Sequence, residues 1–122
     1  GDFVRRGAQF MAIISNDGWW GDTPGYKHLF TISRLRAIEH RRAIARSANT
    51  GMSGFISARG DIGETLGWEK RGVISAAVPL NSELTFYTRY GDYLGRISEY
   101  LTLLCVLYYI AYRVKRKNYL VK

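Results

Sequence analysis

Apolar and polar positions alternate in four textures along the chain. Phe10, Met11, Ala12, Ile13 and Ile14 form a continuous apolar run that stops at Ser15, Asn16, Asp17 and Gly18, the pattern of a central strand covered on both faces. Thr23 and Pro24 then supply an N-cap and a first-turn proline, and the spacing predicts a helix from Gly25 to Ala48, stopped by Asn49, Thr50 and Gly51. After Gly51 the apolar segments are short and punctuated by glycines, Pro79 and Asn81, which predicts strands over 52–58, 73–78 and 83–88. From Ile97 to Val114 the chain is apolar or aromatic apart from Ser98, Glu99, Thr102 and Arg113.

That last segment is borderline for a membrane span. Its uncharged part, Tyr100 to Tyr112, covers 13 residues, or about 20 Å of helix against a hydrocarbon core of about 30 Å. Tyr93, Tyr100, Tyr108, Tyr109 and Tyr112 supply interfacial aromatics, and Arg113, Lys115, Arg116 and Lys117 follow at once. These flanks shift the balance to a transmembrane helix over 93–114 with a basic tail, 115–122. The tail is then cytoplasmic and everything before Tyr93 lies on the other side.

Charge changes the picture less than its total suggests. The chain carries +8 over 122 residues, a balance that ordinarily points to nucleic acid or an anionic surface. Five of its 18 cations lie between Arg113 and Lys122, where there is no acid. The excess therefore belongs to a membrane flank and not to a nucleic-acid interface. The single cysteine, Cys105, sits inside the apolar segment, where a thiol is a poor nucleophile. No His or Cys cluster has metal-ligand spacing, and His28 and His40 accompany no triad motif. Gly1 to Gly7 read as the tail of a helix whose start is missing, so a C-terminal fragment is expected.

Two sites stand out. The loop from Asn16 to Gly25 follows a strand end, where α/β folds commonly bind ligands; Asn16 and Asp17 offer polar groups, and Trp19 and Trp20 offer apolar walls. The alternative is that Asn16 and Asp17 form an Asx turn while the tryptophans seal the loop. On the helix, Leu29, Ile32, Leu35, Arg36, Glu39 and Ala43 share one arc, which puts an i, i+3 ion pair on an apolar stripe. Such a pair either holds the helix or orients a neighbouring group. Arg34, Arg41, Arg42 and Arg46 spread around the helix and are expected to be solvated or paired.

Taken in order, GAQFMAIISNDGWWGDTPGYKHL, SRLRAIEHRRAIARSANTGMSGFI and TFYTRYGDYLG followed by an apolar helix resemble the C-terminal part of the apolipoprotein N-acyltransferases, the membrane branch of the nitrilase, or carbon-nitrogen hydrolase, superfamily. The resemblance covers nearly the whole chain. It implies an α/β fold: the C-terminal part of a four-layer αββα sandwich (residues 1–92) on the periplasmic side of the bacterial inner membrane, followed by a single transmembrane helix. The implied reaction moves an acyl chain from a phospholipid to a cysteine thiolate and then to the N-terminal cysteine amine of a diacylated apolipoprotein, with no cofactor and no metal. The glutamate base, oxyanion lysine and cysteine nucleophile that this needs would all lie upstream. The stretch alone is then inactive, and Cys105 is not the nucleophile. Asn16 and Trp19 match the family's NDxW loop beside the active site, Trp20 stands where phenylalanine is frequent, and Glu39 matches the acid of the RAxE helix. All four are expected as pocket wall or supporting residues. A membrane-tethered amidase, or a non-catalytic membrane-anchored binding module of the same fold, would carry the same motifs.

Overall fold

A computed structural model describes the backbone of residues 1–120 and the side chains of 1–116; the side chains of the expected basic tail beyond Arg116 lie outside the described residues. The chain divides into two compact units, Gly1–Arg89 and Tyr90–Lys122.

In the first unit a short helix, α1 (Asp2–Arg5), precedes strand β1 (Met11–Ser15), a 3-10 turn at Gly18–Trp20, helix α2 (Pro24–His40) and strands β2 (Ile44–Ala48), β3 (Ser53–Ile56) and β4 (Ile62–Leu66). The sheet order is β1-β2-β3-β4, with β1 and β2 parallel and the other pairs antiparallel. A second short helix, α3, spans Phe86–Tyr90. Strand, loop, helix and parallel strand thus form one βαβ crossover, to which β3 and β4 add as a meander.

Register and burial divide the sheet into two faces. Met11 and Ile13 pair with Ile44 and Arg46, which pair in turn with Ile56 and Gly54. This face meets α2, and Phe30, Ala37, Ile44 and Ile56 form the core with Met11, Ile13 and Met52 packed against it. Ala12, Ile14, Ala45, Ser47 and Phe55 point the other way, because successive strand residues alternate. There an open cleft of about 500 Å³ separates Ala45, Ser47, Phe55 and Leu66 from the segment around Lys70–Ile74.

Three expectations are corrected. β1 is an edge strand of the described sheet, and Ile14 on its outer face is 92% exposed: α2 covers one face only. The helix ends at His40, not Ala48. Arg41 adopts a left-handed conformation (φ 49°) and its N–H returns to the last turn, a stop normally made by glycine. The sequence after it, rich in helix-forming Ala and Arg, becomes β2 because Ile44 and Arg46 bury on alternate positions against α2. Residues 73–78 form no strand, 83–88 lead into α3, and β4 was not expected, its Gly63 and Glu64 hiding the pattern.

The second unit consists of helix α4, Tyr93–Leu120. Its segment Tyr93–Arg116 has 24 residues, within which a stretch of 18 reaches a mean hydropathy of 1.3 with none of it buried. At 1.5 Å per residue that is about 36 Å, enough to cross a hydrocarbon core of about 30 Å. The uncharged run alone falls short, but Arg96 and Glu99 lie near one end and Arg113, Lys115 and Arg116 near the other, where long side chains reach the interface.

Candidate functional site

The C-terminal ends of β1 and β2 lie side by side, Ser15 opposite Ala48, and the loops that leave them interlock. At their base is a buried ion pair. Arg46 Nη2 donates to both oxygens of Asp17, each at 2.9 Å; Nη1 donates to Ser33 Oγ on α2 (3.1 Å) and Nε to the Met52 carbonyl (3.3 Å). Asp17 Oδ1 also accepts from Ser15 Oγ at 2.5 Å. Strand β2, helix α2 and both loops therefore share one charge-assisted network. Gly51 is part of it: a Cβ there would lie 2.1 Å from Asp17 Oδ2, so the turn after β2 approaches the carboxylate as only glycine allows.

Above the pair sits Asn49. Its Oδ1 accepts from Asp17 N (3.1 Å), Thr50 N (2.8 Å) and Thr50 Oγ1 (3.1 Å), and its Nδ2 donates to Asn16 Oδ1 at 2.7 Å. Asn16 Oδ1 also accepts from Gly18 N at 3.3 Å, the expected Asx turn. Trp19 and Trp20 follow in the 3-10 turn. Trp19 is 86% exposed. Trp20 lies against the first turn of α2, where a Cβ on Gly25 would come within 2.6 Å of its ring, and its carbonyl accepts from the N-cap residue Thr23 at 2.7 Å. One tryptophan is thus half covered and the other presented. The third, Trp68, packs against Tyr26 with ring centroids 5.0 Å apart and the planes tilted by 37°.

Asn16, Trp19 and Trp20 are brought together; Glu39 is not. It sits at the far end of α2, about 23 Å of helix from Pro24. Its Oε2 accepts from Arg36 Nη1 at 2.5 Å, as the spacing predicts. The pair is on the outer side of α2, with Arg36 half exposed, so the expectation of a buried pair on an apolar stripe is corrected. The buried stripe is Tyr26, Phe30, Ser33, Ala37 and His40, while Ile32 and Leu35 face outward. The bond to Glu39 holds the Arg36 guanidinium above its ordinary pKa.

Sequence reasoning missed Arg46, Ser33 and Asn49, and it missed a second cluster near the end of α2. There Thr85 Oγ1 donates to the Glu39 carbonyl (2.6 Å), which leaves its oxygen to accept from Thr88 Oγ1 (2.8 Å). Thr88 has then spent its proton, so His40 Nδ1, 2.8 Å away, carries a hydrogen and donates to it. Burial, before all other causes, pushes the His40 pKa down and keeps the ring neutral. Next to it, fully buried Arg42 donates to the carbonyls of Ala8, His40, Arg41 and Glu83, and burial lowers its pKa too. Both clusters are the partners of polar residues on the buried stripe of α2 or next to it.

Residues 2–84 match the family described as carbon-nitrogen hydrolase. The chain belongs to the carbon-nitrogen hydrolase family. It is 48% identical over 90 residues to a protein of Chlorobaculum tepidum named apolipoprotein N-acyltransferase, covering 74% of this chain and 17% of that protein. Relatives with the same name in Rhizobium meliloti and Thermotoga maritima are 43% identical over 78 residues and 31% identical over 104. Those matches cover 64% and 85% of this chain, and 15% and 21% of the relatives. The chain thus spans about a sixth of the length of the Chlorobaculum tepidum and Rhizobium meliloti relatives. Its mixed sheet and helices are those of a carbon-nitrogen hydrolase domain, with one helix long and apolar enough to cross a membrane at the C-terminus.

Proposed function

We propose that the chain is the C-terminal part of a membrane N-acyltransferase that moves an acyl chain from a phospholipid, through a cysteine thioester formed upstream of this stretch, to the N-terminal cysteine amine of a diacylated apolipoprotein. The observation that carries the reading is the junction in one chain of a carbon-nitrogen hydrolase segment with an uncovered apolar helix of 24 residues. A soluble amide substrate gives that helix no role, whereas an acyl donor held in the bilayer does. The relatives' shared name supports the same reading.

In this reading residues 1–92 end the catalytic domain, 93–114 cross the inner membrane and 115–122 are cytoplasmic, since four of the first five residues after Tyr112 are basic. The outer face of the sheet, with Ala12, Ile14, Ala45 and Phe55, is where a second sheet would complete the four-layer sandwich. Trp19 forms an apolar wall for acyl chains, Trp20 fixes it, Asn16 supplies a polar contact, and Glu39 supports the site from a distance, at the far end of α2.

The test uses the full-length protein in lipid nanodiscs, a phospholipid with a labelled acyl chain and a lipopeptide bearing a diacylated N-terminal cysteine. Label should appear in an amide on the lipopeptide. Label released only as free fatty acid would make water the acceptor and the protein a hydrolase; label remaining on phospholipid, with no protein thioester, would make it a binding module.

A further inference from the structure

We infer that Asn16 presents its side-chain N–H₂ as a hydrogen-bond donor to an acceptor oxygen of the acyl substrate, and that Asn49 sets this orientation. The inference rests on the acyltransfer reading above.

Which end of an asparagine amide faces where is decided by its partners. For Asn49 the partners are backbone N–H groups of Asp17 and Thr50, which can only donate; the atom they share must be Oδ1. The other end of Asn49 is therefore Nδ2, and it points at Asn16 over 2.7 Å. The Asn16 atom that receives it must be an acceptor. The same atom receives the Gly18 N–H, a second obligate donor. The oxygen of Asn16 is thus turned inward twice over, and its Nδ2 is turned outward with no hydrogen-bond partner among the described residues. The anchor beneath is enclosed: Asp17, whose N–H starts this chain of choices, is itself fully buried on Arg46.

The donor stands at the C-terminal end of β1, next to the end of β2 and three residues before exposed Trp19. Binding sites of α/β folds lie at such strand ends. The chemistry that fits two fixed N–H donors beside an apolar surface is an oxygen attached to an acyl chain: the ester or thioester carbonyl, or the phosphate of the donor lipid.

The relay can be reversed without touching Asn16. In Asn49→Asp the side chain facing Asn16 can only accept, so the Asn16 amide rotates, giving up the longer bond from Gly18 N (3.3 Å) to donate its N–H₂ inward, and presents oxygen to the substrate. Asn16→Asp removes the donor directly and is nearly isosteric. Acyl transfer by the full-length protein is measured for both variants, with thermal unfolding alongside, using a phospholipid and, in a second arm, a p-nitrophenyl acyl ester that has no phosphate. Both variants should lose about 10- to 100-fold in kcat/KM, the effect of one such donor, and the double variant should lose no more than the worse single one. A loss that persists with the p-nitrophenyl ester assigns the donor to the acyl carbonyl; one confined to phospholipid assigns it to the phosphate. Asn16→Ala, which needs no amide partner to fold, should match Asn16→Asp. Wild-type rates in Asn16→Asp and Asn16→Ala, or a deficient Asn16→Asp with an unaffected Asn49→Asp, would overturn the inference while leaving the acyltransfer reading standing. A wild-type protein that transfers nothing would overturn both.

Discussion

Arg46 grips Asp17 through a single nitrogen, Nη2 donating to both carboxylate oxygens at 2.9 Å, with both residues buried beneath the loop that carries the tryptophans. Removing one partner of a buried pair leaves an unpaired charge and costs about 3–5 kcal/mol, a large share of a domain stability of roughly 5–15 kcal/mol. Asp17→Asn and Arg46→Met should each destabilise the protein to this extent, and the double variant should cost less than the sum of the two. Thermal unfolding of the four proteins measures the coupling. Additive losses would mean that the two side chains contribute independently.

Gly51→Ala should be about as harmful as losing the pair. The added methyl would lie 2.1 Å from Asp17 Oδ2, and the nearest atoms are held by Arg46 and Ser15, not free to swing away. Gly67→Ala is the control, since nothing lies within 4 Å of its Cβ position. Protein yield and unfolding temperature should fall for the first only.

Part of the frame of this site is legible in the sequence. The apolar run, the Asx turn and the Thr23–Pro24 start of α2 were readable because each rests on local chemistry: a continuous strand pattern, an Asn side chain reaching two residues on, and a hydroxyl accepting from Gly25 N at 3.3 Å. The buried face of α2 was misread for a physical reason. Two stripes fit a helical period: Leu29, Ile32, Leu35 is the more apolar, yet Tyr26, Phe30, Ser33, Ala37, His40 is the one inside. Ser33 and His40 disguised it, because their partners, Arg46 and Thr88, lie 13 and 48 residues away. For the same reason Arg46 looked like a helix-surface cation. Only the sheet turns position 46 inward, and nothing local announces that a strand begins four residues after a helix that has no glycine stop.

The two tryptophans should separate by assay. Trp19→Ala removes a side chain that is mostly in solvent, so unfolding temperature should change little while acyl transfer by the full-length protein falls. Trp20→Ala takes away the ring that lies on Gly25 and should lower stability by about 1–3 kcal/mol, less than a full core truncation because the ring is half exposed. Loss of activity in neither would remove the loop from the substrate pocket.

With Arg36 half exposed the Glu39→Gln change should cost no more than about 1 kcal/mol, and Glu39→Lys somewhat more through repulsion of Arg36. Raising salt should narrow the difference, since exposed charges are screened. Equal melting of wild type and Glu39→Lys at low salt would show that the pair contributes nothing.

His40 gives the stability a pH dependence of defined sign. Its ring is buried and donates from Nδ1 to Thr88 Oγ1, so the folded protein holds it neutral and its pKa lies below the ordinary value of 6.5. In the unfolded chain it binds a proton at about 6.5; between the two values the unfolded state therefore carries more protons, and stability rises with pH. The contribution is complete above about pH 7 and is lost as pH falls through 6.5 toward the folded-state pKa. Arg36 and Arg42 oppose protonation of the ring, and Glu39 alone among the neighbouring side chains favours it. His40→Gln keeps a donor for Thr88 but cannot titrate. Unfolding of the full-length protein between pH 5 and 8 should show a decline below 6.5 that His40→Gln flattens, whereas parallel curves for the two proteins would place the titrating group elsewhere.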